Sequence, residues 1–246
     1  KTLKTTRKEL QKLLQDEEVF SEFVPQAPDA LVLVERKNVF ITQAFKNGLF
    51  EVQDASSQLV AAFLDVKPGQ KVIDTCAGAG GKTLHLASLM ENKGQIIAMD
   101  IYAHKLAELK KRAKRDGAHN IETRPIEGSK SIKKFKGKAD RVLIDAPCSG
   151  IGVLKRNPDS KWKLNADFLD RIRKTQAEIL DQYASMVKDG GKMVYATCSI
   201  LPSENEKQVE TFLEKHKDFK LVKDKKVSPA DSGFDGFYMA LLEKKS

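Results

Sequence analysis

The strongest constraint on this chain is an alternation. From about residue 54 to the end, short apolar runs rich in Val and Ile are separated by stretches of helical length. The runs are Lys71 to Asp74, Gln95 to Asp100, Asn120 to Thr123, Arg141 to Asp145, Lys192 to Thr197, Lys220 to Val222 and Phe237 to Leu242. Strands alternating with helices pair in parallel, because a parallel partner needs a long crossover, and the helices then cover both faces of the sheet. The expected fold is therefore α/β, an open, doubly wound sheet of seven strands in which the last pair is a hairpin-like addition. Asp54 is placed to cap a helix running to about Asp65 and stopped by Lys67-Pro68-Gly69. Asn165 opens a longer helix that reaches Val187 ahead of Gly190-Gly191, and Ser203-Glu204-Asn205-Glu206 has capping-box spacing for a helix toward His216. Residues 1–48 follow another pattern: a helix from Thr6 to Gln15, apolar runs at Ala30 to Val34 and Val39 to Thr42, and an Asn47-Gly48 turn. They read as part of a small α+β module.

Three cysteines close three of the runs: Cys76, Cys148 and Cys198. In an open α/β sheet, ligands and chemistry gather outside the carboxyl ends of the strands, so the three thiols are expected on one edge. An odd number of cysteines in 246 residues, with no charged-then-apolar leader and no apolar run near eighteen residues, argues against a disulfide framework, secretion or a membrane span. A cytoplasmic protein with reduced thiols is expected, and a start at Lys1 rather than Met suggests that the chain continues upstream. None of the histidines (85, 104, 119, 216) has metal-ligand spacing with an acid or cysteine, so no metal is expected. The formal charge is +9, and Ile101 to Lys138 alone holds twelve basic against four acidic residues. That excess suits a phosphate backbone, although Lys110 to Arg115 also reads as a solvated helix face.

The loop Val72 to Thr83 is rich in glycine between a strand and a helix. A phosphate-binding P-loop would need glycine where Cys76 stands, and a dinucleotide fingerprint would need a small residue where Thr83 stands. A better fit is acid-x-x-x-Gly-x-Gly, Asp74 to Gly80, followed by a second strand ending in Asp100, whose carboxylate suits ribose hydroxyls. Without a pyrophosphate cradle, S-adenosylmethionine is the cofactor that this loop favours. The candidate contacts are Cys76, Ala77, Gly78, Ala79, Gly80, Gly81, Lys82, Asp100, Glu127 and Asp145.

Two further thiols narrow the acceptor. Oxygen and nitrogen acceptors carry a lone pair, whereas carbon 5 of a pyrimidine does not and becomes nucleophilic only after a thiolate adds to carbon 6. Asp145 is the candidate acid near ring nitrogen 3. A free thiol titrates near ~8.5, so the nucleophile needs positive potential, from Lys82 or from Lys155-Arg156. Chemistry alone leaves Cys148 and Cys198 interchangeable. Lys155 and Arg156 open a segment of bases around Trp162 that suits the phosphates of an unpaired or flipped RNA target. Trp162 itself reads either as a stacking surface or as packing against the long helix.

Several motifs now stand in order between about residues 45 and 242: Asp74 to Thr83; Asp145-Ala146-Pro147-Cys148-Ser149-Gly150; Asn157-Pro158-Asp159 with Trp162; Tyr195-Ala196-Thr197-Cys198-Ser199; Pro202-x-Glu204-Asn205; and Asp235-Gly236-Phe237-Tyr238. In these the sequence resembles the Sun/Fmu-type RNA cytosine-5 methyltransferases, which are ribosomal RNA small subunit methyltransferase B-like. The resemblance implies a class I S-adenosylmethionine-dependent methyltransferase with a Rossmann-like sheet over 49–246, preceded at 1–48 by a partial RNA-binding-like module. It implies that Cys198 is the nucleophile and that Cys148 assists product release. Two departures are Ala79, where many members carry proline, and Glu127, where aspartate is usual. The expected activity is formation of 5-methylcytosine in RNA, ribosomal by preference, by a monomer. The alternatives are a transfer RNA cytosine-5 methyltransferase and a non-catalytic RNA-binding assembly factor.

Overall fold

Val72 and Ile73, Ile96 and Ile97, Val142 to Ile144 and Met193 to Ala196 are buried almost completely, as strands covered on both faces require. They form the centre of a seven-stranded sheet in a computed structural model that describes residues 3–246. The first elements are α1 (Arg7–Asp16), β1 (Ser21–Phe23), β2 (Leu31–Leu33), α2 (Gln43–Lys46) and α3 (Ala55–Phe63). Then come β3 (Lys71–Asp74), α4 (Gly81–Leu89), β4 (Gln95–Asp100), α5 (Ala103–Asp116), β5 (Ile121–Pro125), α6 (Ser129–Lys133) and β6 (Ala139–Asp145). The chain ends with α7 (Ala166–Ala184), β7 (Val187–Thr197), α8 (Glu206–Lys215), β8 (Phe219–Val227), α9 (Pro229–Ser232) and β9 (Phe237–Lys244).

The strand order is β5-β4-β3-β6-β7-β9-β8, parallel except that β9 runs antiparallel to β7 and β8. This is the expected doubly wound, Rossmann-like sheet. Val60 of α3, Leu86 of α4 and Leu109 of α5 belong to one core, whereas Ile132, Leu180 and Phe212, from α6, α7 and α8, belong to another. The order reverses between β3 and β6, so the crevice outside their carboxyl ends is the topological switch point.

The structure corrects several boundaries. The helix capped by Asn165 stops at Ala184, and Val187 begins β7 instead. Lys188 to Gly191 form a bulge, because Val187 pairs with Ala139 and Lys192 with Arg141, and Gly190 takes a left-handed φ of 70° within it. Ser203 does not cap α8; residues 202–204 form a 3-10 turn, and α8 starts at Glu206 without a side-chain cap.

Near the N-terminus, Thr6 and Glu9 form a reciprocal capping box on α1. Leu10 and Leu14 pack with Val19, Val39 and Ala44, and β2 pairs with β1, a strand too short to show in the pattern. Val39–Ile41 is a 3-10 turn rather than part of a strand, because the Asn38 side chain accepts from Phe40 N and Thr42 caps α2. Gly48 then meets α5 so closely that a Cβ there would stand 2.1 Å from the Arg115 carbonyl oxygen. With φ at +68°, only glycine suits the position.

Candidate active site

The glycine-rich loop leaves β3 at the switch point and is tied down by backbone bonds. Thr75 N donates to Leu143 O on β6 and Ala77 N to Met99 O on β4, each at 2.9 Å. Gly78 (φ +54°) and Gly80 (φ +95°) are left-handed, and a Cβ on Gly80 would lie 2.5 Å from Leu109 Cγ. At Gly78, by contrast, nothing lies within 4 Å of the Cβ position, so the loop stays open on that side. Asp100, at the end of β4, accepts from Gly78 N and from Tyr102 N at 2.8 Å. Glu127 is exposed just past β5, where Ile126 N donates to Asp100 O, so the structure brings it to the same strand edge.

Asp74 is buried, with one carboxylate oxygen bonded by the Thr83 hydroxyl at 2.7 Å. Its other oxygen has no hydrogen-bond partner among the described residues. Burial pushes its pKa up to about 7, against the opposing effect of the Thr83 bond. Cys76 is also enclosed, and burial raises its pKa above the ordinary thiol value. A thiol held protonated in this way serves the loop as a small apolar side chain.

The other two cysteines meet. Cys148 follows β6 and Cys198 follows β7, and their Sγ atoms stand 3.3 Å apart. The Cys148 thiol is the donor we assign: its hydrogen bond lowers the pKa of Cys198, opposed by burial and by Asp145 and supported by Lys82. The same bond, with burial and Glu204, raises Cys148. Lys82 Nζ lies 2.7 Å from Asp145 Oδ2 and 5.1 Å from the centre of the Phe237 ring. Two thiols and an ion pair therefore share one strand edge.

Glu204 holds the two thiol loops in place. It is buried completely and accepts from Ser149 N at 2.8 Å, Ser149 Oγ at 2.5 Å, Ser199 Oγ, and Gln176 Nε2 at 3.1 Å. Those serines adjoin Cys148 and Cys198, so one carboxylate spans both loops. Nothing local in the sequence marked Glu204 for this work, since its neighbourhood looked like a helix cap. Its place in the Pro-x-Glu-Asn motif was the available signal.

The basic residues divide. Arg112 and Arg115 are not part of a solvated face: Arg112 donates to Ala79 O and to Glu51 at 2.7 Å each, and Arg115 also pairs with Glu51. Lys155 is exposed, whereas Arg156 is tied to the buried Asp235, with Nε at 2.6 Å from Oδ2. Trp162 does not pack on α7; it is 79% exposed. Among the described residues, no group of three or more His, Cys, Asp or Glu side chains is arranged to hold a metal ion, and no helix is long and apolar enough to cross a membrane.

Residues 61–243 match the family described as 16S rRNA methyltransferase RsmB/F. The chain is 35% identical over 261 residues to a probable ribosomal RNA small subunit methyltransferase B of Bacillus subtilis, covering 99% of this chain and 58% of the relative. It is 36% identical over 249 residues to ribosomal RNA small subunit methyltransferase B of Vibrio cholerae, covering 98% and 56%. The chain thus spans little more than half the length of these curated relatives. A solved methyltransferase homolog protein from Pyrococcus horikoshii superimposes with a TM-score of 0.87 at 29% identity, covering 98% of this chain and 84% of the other. NSun6 from the same organism, solved with SFG, gives 0.88 at 21% identity over 100% and 89%, a likeness of fold.

Proposed function

The chain belongs to the RsmB/F family of 16S rRNA methyltransferases, and from that membership we propose that it methylates carbon 5 of cytosine in RNA, ribosomal RNA first. The observation that carries the proposal is the thiol pair, 3.3 Å apart beside Lys82 and Asp145.

The family's cofactor is S-adenosylmethionine, and the residues present fit it. The open side of Gly78, the Asp100 carboxylate at the end of β4 and the unpartnered buried oxygen of Asp74 offer backbone access, a ribose acceptor and an acceptor for an amino group. Cys76, Ala77, Ala79, Gly80, Gly81 and Lys82 complete the loop that would hold it, with Glu127 and Asp145 at neighbouring strand ends. Bound there, it supplies an electrophilic methyl group on a sulfonium.

Cys198, the thiol that the family resemblance points to as nucleophile, forms an Sγ–C6 bond with cytosine. Electrons of the C5–C6 double bond shift toward nitrogen 3, which takes a proton, and carbon 5 becomes nucleophilic. The Lys82–Asp145 pair places a donor and an acceptor together, suited to nitrogen 3 and the exocyclic amine. After carbon 5 has taken the methyl group, its proton leaves to a base and the C5–C6 double bond re-forms as the Sγ–C6 bond breaks. Cys198 is freed as thiolate, and nitrogen 3 gives up the proton it took. Cys148 is close enough to serve that elimination. Lys155 reaches solvent where RNA phosphates would lie, and Arg156 acts mainly as an anchor through Asp235.

The test is transfer of a labelled methyl group to unmodified small-subunit ribosomal RNA, followed by nucleoside chromatography. We expect label in 5-methylcytidine. Label in another nucleoside, or incorporation that survives Cys198→Ala, would overturn the proposal.

A further inference from the structure

We propose that Trp162 is a stacking platform for an unpaired RNA base next to the reacting cytosine, carried on an arm rooted in the thiol site. This rests on the RNA reading above and extends it to a named contact. Trp162 is the chain's one tryptophan, and a ring that normally buries on the order of 150–250 Å² is here 79% exposed.

The arm that carries it is fixed at its root. Gly152 N donates to Cys198 O at 3.0 Å, and Gly236 N donates to Gly152 O at 2.8 Å. A Cβ on Gly152 would stand 2.2 Å from Gly236 O, so the arm leaves the thiol loops at the closest approach a backbone allows. Four residues on, Arg156 clamps the arm to Asp235, which is 5% exposed. Beyond that clamp a 3-10 turn, Pro158–Lys163, presents the ring. The root of the arm is therefore fixed against the Cys198 loop by named contacts, and the ring at its far end is open to solvent.

The surroundings select the partner. Lys161 Nζ lies 4.8 Å from the ring centre, and Lys155 is exposed on the same arm. An aromatic face with cations beside it matches a single strand, whose bases stack while its phosphates are neutralised, better than it matches an apolar protein surface. A reacting cytosine out of its stack leaves a neighbouring base without a partner on one side, and Trp162 offers one.

The single tryptophan supplies its own probe. Titration of the protein with single-stranded rC12 should quench the intrinsic fluorescence, whereas a preformed rC12·rG12 duplex should quench it little. Binding of labelled rC12, followed by anisotropy, should weaken roughly 5- to 100-fold in Trp162→Ala and recover in Trp162→Phe, with the thermal melting of both variants unchanged. If the wild type binds rC12 and Trp162→Ala binds it equally well, the stacking role is overturned while the RNA reading stands. If the wild type binds no RNA, the RNA reading falls and this inference with it. Quenching by a peptide or protein fraction but not by rC12 would overturn it in favour of a protein partner.

Discussion

Sγ of Cys148 and Sγ of Cys198 lie 3.3 Å apart although 50 residues separate them. With Cys148 as the donor the two thiols become unequal, because Cys198 is then eased toward the thiolate. We expect Cys198→Ala to abolish methyl transfer and Cys148→Ala to accumulate a covalent protein–RNA adduct on a denaturing gel. An adduct from Cys198→Ala would reverse the roles.

The same contact has a pH signature. Cys148→Ala removes the donor that lowers the pKa of Cys198, so the pH profile of Cys198 alkylation by iodoacetamide should move upward. A profile that stays in place would show that Lys82 sets the thiolate instead.

Glu204 is expected to be the costliest polar substitution in the site. Glu204→Ala leaves Ser149 N, two serine hydroxyls and Gln176 without their acceptor in a fully buried place. Each unsatisfied donor costs about 1–3 kcal/mol, but the two serine hydroxyls keep each other at 3.3 Å and Gln176 keeps Pro147 O, so roughly 3 kcal/mol should be lost in all. Urea denaturation measures it, and a loss below about 1 kcal/mol would mean that water replaces the carboxylate.

Asp74 predicts a stability slope. Its carboxyl titrates near 7 in the fold, because burial outweighs the bond from Thr83 and the charge of Lys82, while the Asp145 charge adds to the rise. An unfolded aspartate ionises near ~3.9, so between about pH 4 and pH 7 the folded state holds a proton that the unfolded state has released. Stability from this group is full below about pH 4 and is lost as pH rises through 7. Asp74→Asn should flatten that slope and, above pH 7, melt higher than the wild type. A slope unchanged by the substitution would place the titration elsewhere.

What the sequence showed and what it hid divide along a physical line. The central strands were legible because Val- and Ile-rich runs buried on both faces need nothing but their neighbours in sequence, and β3 and β4 fall as expected at Lys71–Asp74 and Gln95–Asp100. Ser203 to Glu206 misled because the same letters serve a helix cap or a buried acceptor, and the choice was made by serines at 149 and 199. Trp162 was ambiguous for a similar reason: exposure depends on whether α7 comes within reach. The thiol residues were legible as candidates, but their separation depends on the pairing of β6 with β7.

Arg112 offers the last test, on the joint between the N-terminal elements and the cofactor loop. Its guanidinium spans Ala79 O in the loop and the Glu51 carboxylate, so it ties the loop to the segment before α3. Arg112→Met keeps the stem and removes both bonds, leaving the Ala79 carbonyl without a charged donor. A charge-assisted bond of about 1.5 kcal/mol corresponds to roughly tenfold in affinity. We expect calorimetric titration with S-adenosylmethionine to show that loss, Glu51→Gln to show a smaller one, and alkylation of Cys198 to proceed as in the wild type. Unchanged affinity in Arg112→Met would show that the backbone bonds of Thr75 and Ala77 hold the loop unaided.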